Sequence, residues 1–325
     1  MGRKKSILFF ISLFFIVLVL IIAVLLYGNF IKEREYGNTE GNLSNNLSHI
    51  TRNENFSYVA LKTGIYRGKG ISDLEKISEG KYAYMNCIDG WLYALEFEKN
   101  QIVKMKPDET SEIVLYQATG LCGGPWVIND KIYFEDVDKD AYFRMKTDGS
   151  GLKEIKPKWG GYEQWIYTSV RNRDYEYSLE TEYDMTESQH SADAVYAMGW
   201  LENETKPNGK LYRFEYDSEA GYLLEEGVFQ FNIVNDKIYY LVSGENKAEL
   251  CVMCMKLDGS EKEEIAKITA EKPVKAAGLG VGGNLMYLSV SLEPTGFEHV
   301  WFLVDIETGE YIQVMEDDTF VSPEY

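Results

Sequence analysis

The sequence predicts an all-β chain: a six-bladed β-propeller of four-stranded antiparallel blades, preceded by one N-terminal transmembrane helix. Three observations carry this prediction. First, Asn129-Asp130-Lys131-Ile132-Tyr133 recurs as Asn235-Asp236-Lys237-Ile238-Tyr239. Second, each copy is followed by the same turn, Lys146-Thr147-Asp148-Gly149-Ser150 and Lys256-Leu257-Asp258-Gly259-Ser260, and strand and turn signals repeating every ~40 residues are the mark of a propeller. Third, short outer strands end near Ile77, Ile113, Ile155, Leu224, Ile265 and Val314, which gives six blades.

Taken from the N-terminus, residues 1–6 form a short cytoplasmic tail. Residues 7–27 form a transmembrane signal-anchor helix. Between positions 7 and 26 only Ser12 and Ala23 depart from Leu, Ile, Val and Phe. Twenty residues at ~1.5 Å each span about 30 Å, the thickness of a bilayer's hydrocarbon core. Such side chains contribute about −0.3 to −0.6 kcal/mol each at a helix centre, so insertion is strongly favoured. The run is longer than a signal-peptide core and exits without a small-residue cleavage pattern, although cleavage stays open as the alternative. Arg3, Lys4 and Lys5 precede the span, whereas Lys32 and Arg34 beyond it are offset by Glu33 and Glu35. The positive-inside bias then places the N-terminus in the cytoplasm and the propeller outside the cell membrane.

Residues 28–55, rich in Asn, Ser, Thr and Gly, read as a flexible stalk. Residues 56–325 read as the propeller. Second strands are expected at Trp91-Leu92-Tyr93, Lys131-Ile132-Tyr133, Lys237-Ile238-Tyr239 and Leu285-Met286-Tyr287. The preceding Asp89-Gly90, Asn129-Asp130, Asn235-Asp236 and Gly282-Gly283 suit the positive-φ positions of tight hairpins. Phe56 already reads as the start of a second strand. The innermost strand of blade one is therefore expected from Thr319-Phe320-Val321-Ser322, which would close the ring.

The segment from Asn129 onward, with Tyr142-Phe143-Arg144-Met145 as its third strand, resembles the bacterial propeller family of unknown function that is described as similar to the β-propeller of low-density-lipoprotein-receptor-related proteins. Ile65-Tyr66-Arg67 and Tyr212-Arg213 match the same third-strand pattern. Met253-Cys254-Met255 and Trp301-Phe302-Leu303 depart from it. The resemblance implies an extracytoplasmic, non-enzymatic propeller and supplies no catalytic residues.

Several apparent motifs fail on context. Gly278-x-Gly280-x-x-Gly283 has dinucleotide-loop spacing, but a strand follows it where a helix is required. Asp136-x-Asp138-x-Asp140 opens like a calcium loop, yet Ala141 and Thr147 stand where Gly and Glu are needed. It reads as a hairpin tip carrying solvated acids. Cys251 and Cys254 lie on opposite faces of a strand and do not form a metal half-site. Whether Cys87 and Cys122 pair stays open. His49, His190 and His299 are scattered, so neither a metal site nor a catalytic site is expected, and no cofactor is implied.

The fourth blade, 156–224, is enlarged by an insert at 171–206. Residues 158–205 hold ten Asp/Glu against three Lys/Arg, among many aromatic residues. Trp159, Tyr162, Trp165 and Trp200 are the candidate ligand-binding residues, because Trp and Tyr make effective interface anchors. The alternative is that these rings pack the longer strands of a larger blade. The net charge of −19 excludes phosphate-backbone recognition, hence nucleic acid. The expected role is a membrane-tethered binding or scaffold module for a protein, peptide or glycan. A carbohydrate- or ester-active enzyme with acidic residues in the central channel is the competing reading.

Overall fold

The computed structural model describes residues 49–107, 112–128, 131–155, 183–190, 194–201, 209–215, 221–234, 236–294, 298–315 and 320–321. Trp159, Tyr162 and Trp165 lie outside them, as do residues 1–48. Among the described residues no helix is long and apolar enough to cross a membrane.

The described residues form a run of antiparallel meanders. The first sheet holds β1 (Ile50–Arg52), β2 (Ser57–Ala60), β3 (Gly64–Gly68) and β4 (Glu75–Glu79). The second holds β5 (Tyr82–Ile88), β6 (Trp91–Glu96), β7 (Gln101–Met105) and β8 (Glu112–Gln117). The third holds β9 (Cys122–Ile128), β10 (Lys131–Asp136), β11 (Ala141–Lys146) and β12 (Lys153–Ile155). A seven-stranded sheet follows: β13 (Tyr183–His190), β14 (Ala194–Leu201), β15 (Gly209–Glu215), β16 (Gly221–Val234), β17 (Lys237–Ser243), β18 (Glu249–Lys256) and β19 (Glu263–Thr269). The last sheet holds β20 (Val274–Gly282), β21 (Leu285–Leu292), β22 (Glu298–Asp305), β23 (Tyr311–Val314) and β24 (Phe320–Val321).

The seven-stranded sheet departs from the expected series of separate four-stranded sheets. Its fourteen-residue strand β16 pairs with β15 through its first half and with β17 through its second, and Val228 has a partner on both sides. Gly227, at φ 73°, is the only positive-φ residue in the strand, and ladder pairing resumes immediately after it. One strand therefore ends one meander and begins the next.

The turn chemistry forms as its residues dictate. Asp89 and Gly90 take φ of 51° and 74°, Asp236 takes 60° and Gly283 takes 66°. The two Asp-Gly-Ser turns repeat bond for bond. Gly149 N–H donates to the Lys146 carbonyl and Gly259 N–H to that of Lys256, each at 2.9 Å. Ser150 N–H and Ser260 N–H donate to the Asp148 and Asp258 carboxylates at 2.8 and 2.9 Å.

A deeper repeat appears only in the register. Tyr58, Tyr93, Tyr133, Tyr196, Tyr239 and Tyr287 occupy one equivalent position on six second strands. Their third-strand partners are Arg67, Lys104, Arg144, Arg213, Cys254 and Leu303. The third-strand signature and its two departures thus share one geometric site.

Apolar cores lie between sheets. Tyr58, Ile65, Met85 and Leu92 join the first and second sheets, and Leu95, Ile102, Val127 and Phe134 join the second and third. Leu211, Phe231 and Tyr240 join the two halves of the seven-stranded sheet, and Leu241, Val252, Leu279 and Leu288 join it to the last. Ile50, Val59, Leu285 and Leu303 join the last sheet back to the first. Strand β1 accordingly lies against both β5 and β20.

This junction corrects the expected closure. The innermost strand of the first sheet is β1, which falls inside the segment read as stalk, and β1 pairs with β2 in register Ile50↔Val59. The C-terminal strand β24 instead adds outside β23. A local hairpin explains the choice. Asn53 Oδ1 accepts from the N–H groups of Asn55 and Phe56 at 2.9 and 2.8 Å, fixing a turn of four residues. Such a short loop has a far smaller closure entropy than recruiting the other end of the polypeptide. Phe320 still touches the first sheet, edge-on to Tyr66 with ring centroids 5.8 Å apart.

Candidate functional site

The first sheet is short, and its shortness opens a notch. Counting from the shared tyrosine position toward one end of the sheets, β21 runs on for five residues, β6 for three and β2 for two. On the innermost strands the difference is larger. Strand β20 begins six residues before Gly280 and β5 four before Asn86, whereas β1 begins one before Thr51. At ~3.3 Å per residue, the last sheet overhangs the first by about 16 Å along this inner edge.

The resulting cavity, about 490 Å³, has a floor of His49, Ala60, Leu61 and Lys62. Tyr287, Trp301, Val314 and Met315 form the wall on the last sheet, and Lys81, Tyr82, Ala83, Tyr84 and Phe97 the wall on the second. Its size falls within the ~300–1,000 Å³ of small-ligand sites.

Each wall has a physical support. Lys62, on the turn between β2 and β3, places its Nζ 4.2 Å from the Trp301 ring centroid. That contact holds a half-buried ammonium across the cavity, a cation–π pair of about 0.5–2 kcal/mol. Burial lowers the pKa of His49, against a smaller raising effect from its bond to the Ala60 backbone, so the ring is neutral near pH 7. Its ring stands 5.2 Å from that of Tyr287. Lys81 reaches across the rim to Glu98, with Nζ 2.7 Å from Oε1. Tyr82 donates to Glu112 at 2.9 Å, and burial, the largest cause, pushes its phenol up to about 12.

Tyr84 is held by backbone geometry. It sits in a bulge of β5, between the Ala83 and Asn86 pairings, at φ 52°, a conformation rare for a bulky residue. Bulges re-aim side chains and occur next to binding sites. Tyr84 is among the lining residues, and its ring meets Trp126 edge-on at 5.6 Å and packs against the core between the second and third sheets.

Of the residues singled out from the sequence, only the backbone of Trp200 is described. Trp200 lies on β14 in register with Asp184, and its three companions fall outside the described residues. About half of the 171–206 insert is the two eight-residue strands β13 and β14 themselves. The notch residues carried no motif. The one signal was Trp301, noted only as a departure from the third-strand pattern.

The discarded motifs resolve in the same structure. The glycine series 278–283 lies on β20 and its hairpin, and strand β21 follows. All four cysteines are free and buried. Cys87 belongs to the core between the first and second sheets and Cys122 to the next core, so they do not pair. Burial pushes both thiols up to about 12. Asp136 is a correction: it is not solvated but fully enclosed, with Oδ2 taking Tyr116 Oη at 2.7 Å and Lys139 Nζ at 2.8 Å. Asp138 and Asp140 are exposed, and among the described residues no three metal-binding side chains converge.

Among the described residues the cavity lining contains no carboxylate, thiol or serine. What it offers is an apolar and aromatic enclosure with an ammonium held against one wall.

No family model matches the protein, and no curated protein does. Three similar solved structures illustrate the range of likeness. A nidogen/laminin complex is 10% identical over 82% of this protein and 93% of its own length, with a TM-score of 0.37. AtxE2 isopeptidase in its apo form is 7% identical over 86% and 52%, with a TM-score of 0.49. The tricorn protease is 10% identical over 82% and 31%, with a TM-score of 0.26. The protein thus spans about half of the isopeptidase and about a third of the tricorn protease. No activity or residue is carried over from any of them.

Proposed function

We propose that this protein is a membrane-anchored, extracytoplasmic β-propeller of six blades that acts as a non-catalytic binding module for a protein, peptide or glycan. Counting β16 once as an outer and once as an inner strand gives six four-stranded units. The six tyrosines in one register position agree with that count. Packing of the last sheet on the first supports a closed ring. The apolar run at 7–27, with basic residues before it, supports the anchor and the orientation.

The observation that carries the binding role is the notch. It is an aromatic cavity at one end of the sheets, lined among the described residues by Tyr82, Tyr84, Tyr287 and Trp301.

Site-specific photo-cross-linking of the full-length protein in its native membrane tests the proposal. Phe97 and Met315 sit at the notch, whereas Asp148 and Asp258 sit on turns at the opposite end of the sheets. A photoreactive residue at 97 or 315 should capture a discrete partner that the same residue at 148 or 258 does not. Equal capture at both ends, or none at either, would overturn the binding-module reading.

A further inference from the structure

We infer that the outer edge of β8, on the second sheet, is a docking surface for an extended apolar segment of a partner protein, flanked by basic residues and added to the sheet as a further strand. The surface lies on the outer rim, apart from the notch, and stands whether or not the notch binds.

The outer strands can be compared position by position. On each, the residue paired with the shared third-strand position and the residue after it occupy one equivalent place. The first and third sheets carry Glu75-Lys76 and Lys153-Glu154 there, and β19 carries Glu263-Glu264. All six are exposed. Charged side chains are a common device for keeping an open sheet edge from pairing with another chain. Two outer strands break the pattern: β8 carries Ile113-Val114 and β16 carries Tyr222-Leu223. Each of these apolar residues is more than 40% exposed.

The last sheet shows what such an edge takes. Its equivalent residues are Ile312 and Gln313, and neither is exposed. There β24 adds as a fifth strand, with Val321 in register with Gln313. Phe320 packs against the apolar cluster that holds Ile312. An extended segment thus already docks at this position of the repeat, once, within the molecule. Strand addition of this kind draws affinity from main-chain hydrogen bonds and specificity from the side chains beside them.

The neighbouring turn distinguishes the two apolar edges. A Cβ on Gly149 would meet Leu115, and one on Gly259 would meet Leu224, so each Asp-Gly-Ser turn sits beside the outer strand of the preceding meander. From the turn beside β16, Lys262 reaches back, with Nζ 2.7 Å from the Leu224 carbonyl oxygen and 2.9 Å from Glu225 Oε2. The equivalent residue in the turn beside β8 is Leu152, 48% exposed. A cation therefore closes part of the β16 edge, while a third apolar side chain extends the surface at β8. Charge sets the flanks of the incoming segment. At a net charge of −19, a second copy of this protein is repelled and a segment bordered by Lys or Arg is attracted.

A photoreactive residue at 114, in the full-length protein in its native membrane, tests the inference, with the same residue at 76 and 264 as controls on charged edges. Position 114 should capture one protein that 76 and 264 do not. Ile113→Lys combined with Leu152→Lys, both at exposed sites, should lower that capture at least tenfold and leave the urea midpoint unchanged. The cross-linked segment should be apolar with basic flanks. A synthetic copy of it should slow hydrogen exchange across Glu112–Gln117 of the full-length protein in detergent, and a proline-substituted copy should not. Equal capture at all three positions, capture that survives the two lysines, a cross-link to a second copy of this protein, a captured segment that leaves β8 exchange unchanged, or no capture at all would overturn the inference.

Discussion

Asn86 holds the carbonyl of Tyr84: its Nδ2 lies 2.8 Å from that oxygen and 2.9 Å from the Pro125 carbonyl oxygen. Its Oδ1 accepts the Val127 N–H at 3.3 Å. One fully buried side chain therefore fixes the bulge that aims Tyr84 and ties β5 to β9.

Asn86→Ala should cost about 2–4 kcal/mol, because it removes partners from buried backbone groups on two strands. Asn232 is the comparison. It makes one link to the next sheet, Nδ2 to the Leu279 carbonyl at 3.1 Å, and its Oδ1 has no partner among the described residues. Asn232→Ala should cost less. Urea midpoints of the two variants check the order, and notch affinity should fall only in the Asn86 variant.

Gly282 marks the junction between the last sheet and the first. A Cβ there would stand 2.8 Å from both Ile50 Cγ1 and the Thr51 carbonyl oxygen. Gly282→Ala should therefore force β1 and β20 apart at a cost of about 1–3 kcal/mol. Hydrogen exchange should rise at Ile50–Arg52 before it rises in β6 or β18.

Asp136 makes the acid limb of stability testable. Burial raises its pKa, but the Lys139 and Tyr116 bonds outweigh burial and the net shift is downward. A lowered folded-state pKa contributes stability that is present above the unfolded value, near 3.9, and lost as pH falls through the folded value. In Lys139→Met, burial is opposed only by Tyr116 and the backbone N–H of residue 139, so the folded pKa should rise. If it passes the unfolded value, the contribution reverses and is lost as pH increases. The variant should lose about 1–3 kcal/mol at pH 7, less than a fully buried pair, since Lys139 is 43% exposed. The difference in urea midpoint between wild type and variant should shrink from pH 6 to pH 3.

The thiols should be inert in the native protein. Burial raises all four pKa values, with Cys251 pushed up to about 11. Iodoacetamide at pH 8 should label none of them until denaturant is added, as intact mass would show. Under oxidising conditions no Cys87–Cys122 linkage should form.

How much of this was legible in the sequence depends on the range of the interaction. The hairpin at Asp89-Gly90 and the turns at Gly149 and Gly259 follow from residue types that take positive φ at less cost than others do. The outer strands near Ile77, Ile265 and Val314 follow from local alternation in the same way. The functional residues were a different matter. Trp301 and Lys62 meet across most of the length of the polypeptide, and nothing near either in sequence announces the contact.

The sequence by itself determined the strand-and-turn period, the order of the meanders and the chemistry of each turn, because hydrogen bonding and φ preference act within a few residues. Only the tertiary structure decided that Ile50–Arg52 and not the C-terminal strand completes the first sheet, that β16 belongs to two meanders, and that the cavity lies over the first sheet. These outcomes depend on which strand ends fall level with one another once distant sheets pack. A void between sheets is set by differences in strand length, a quantity carried by no single segment of the sequence.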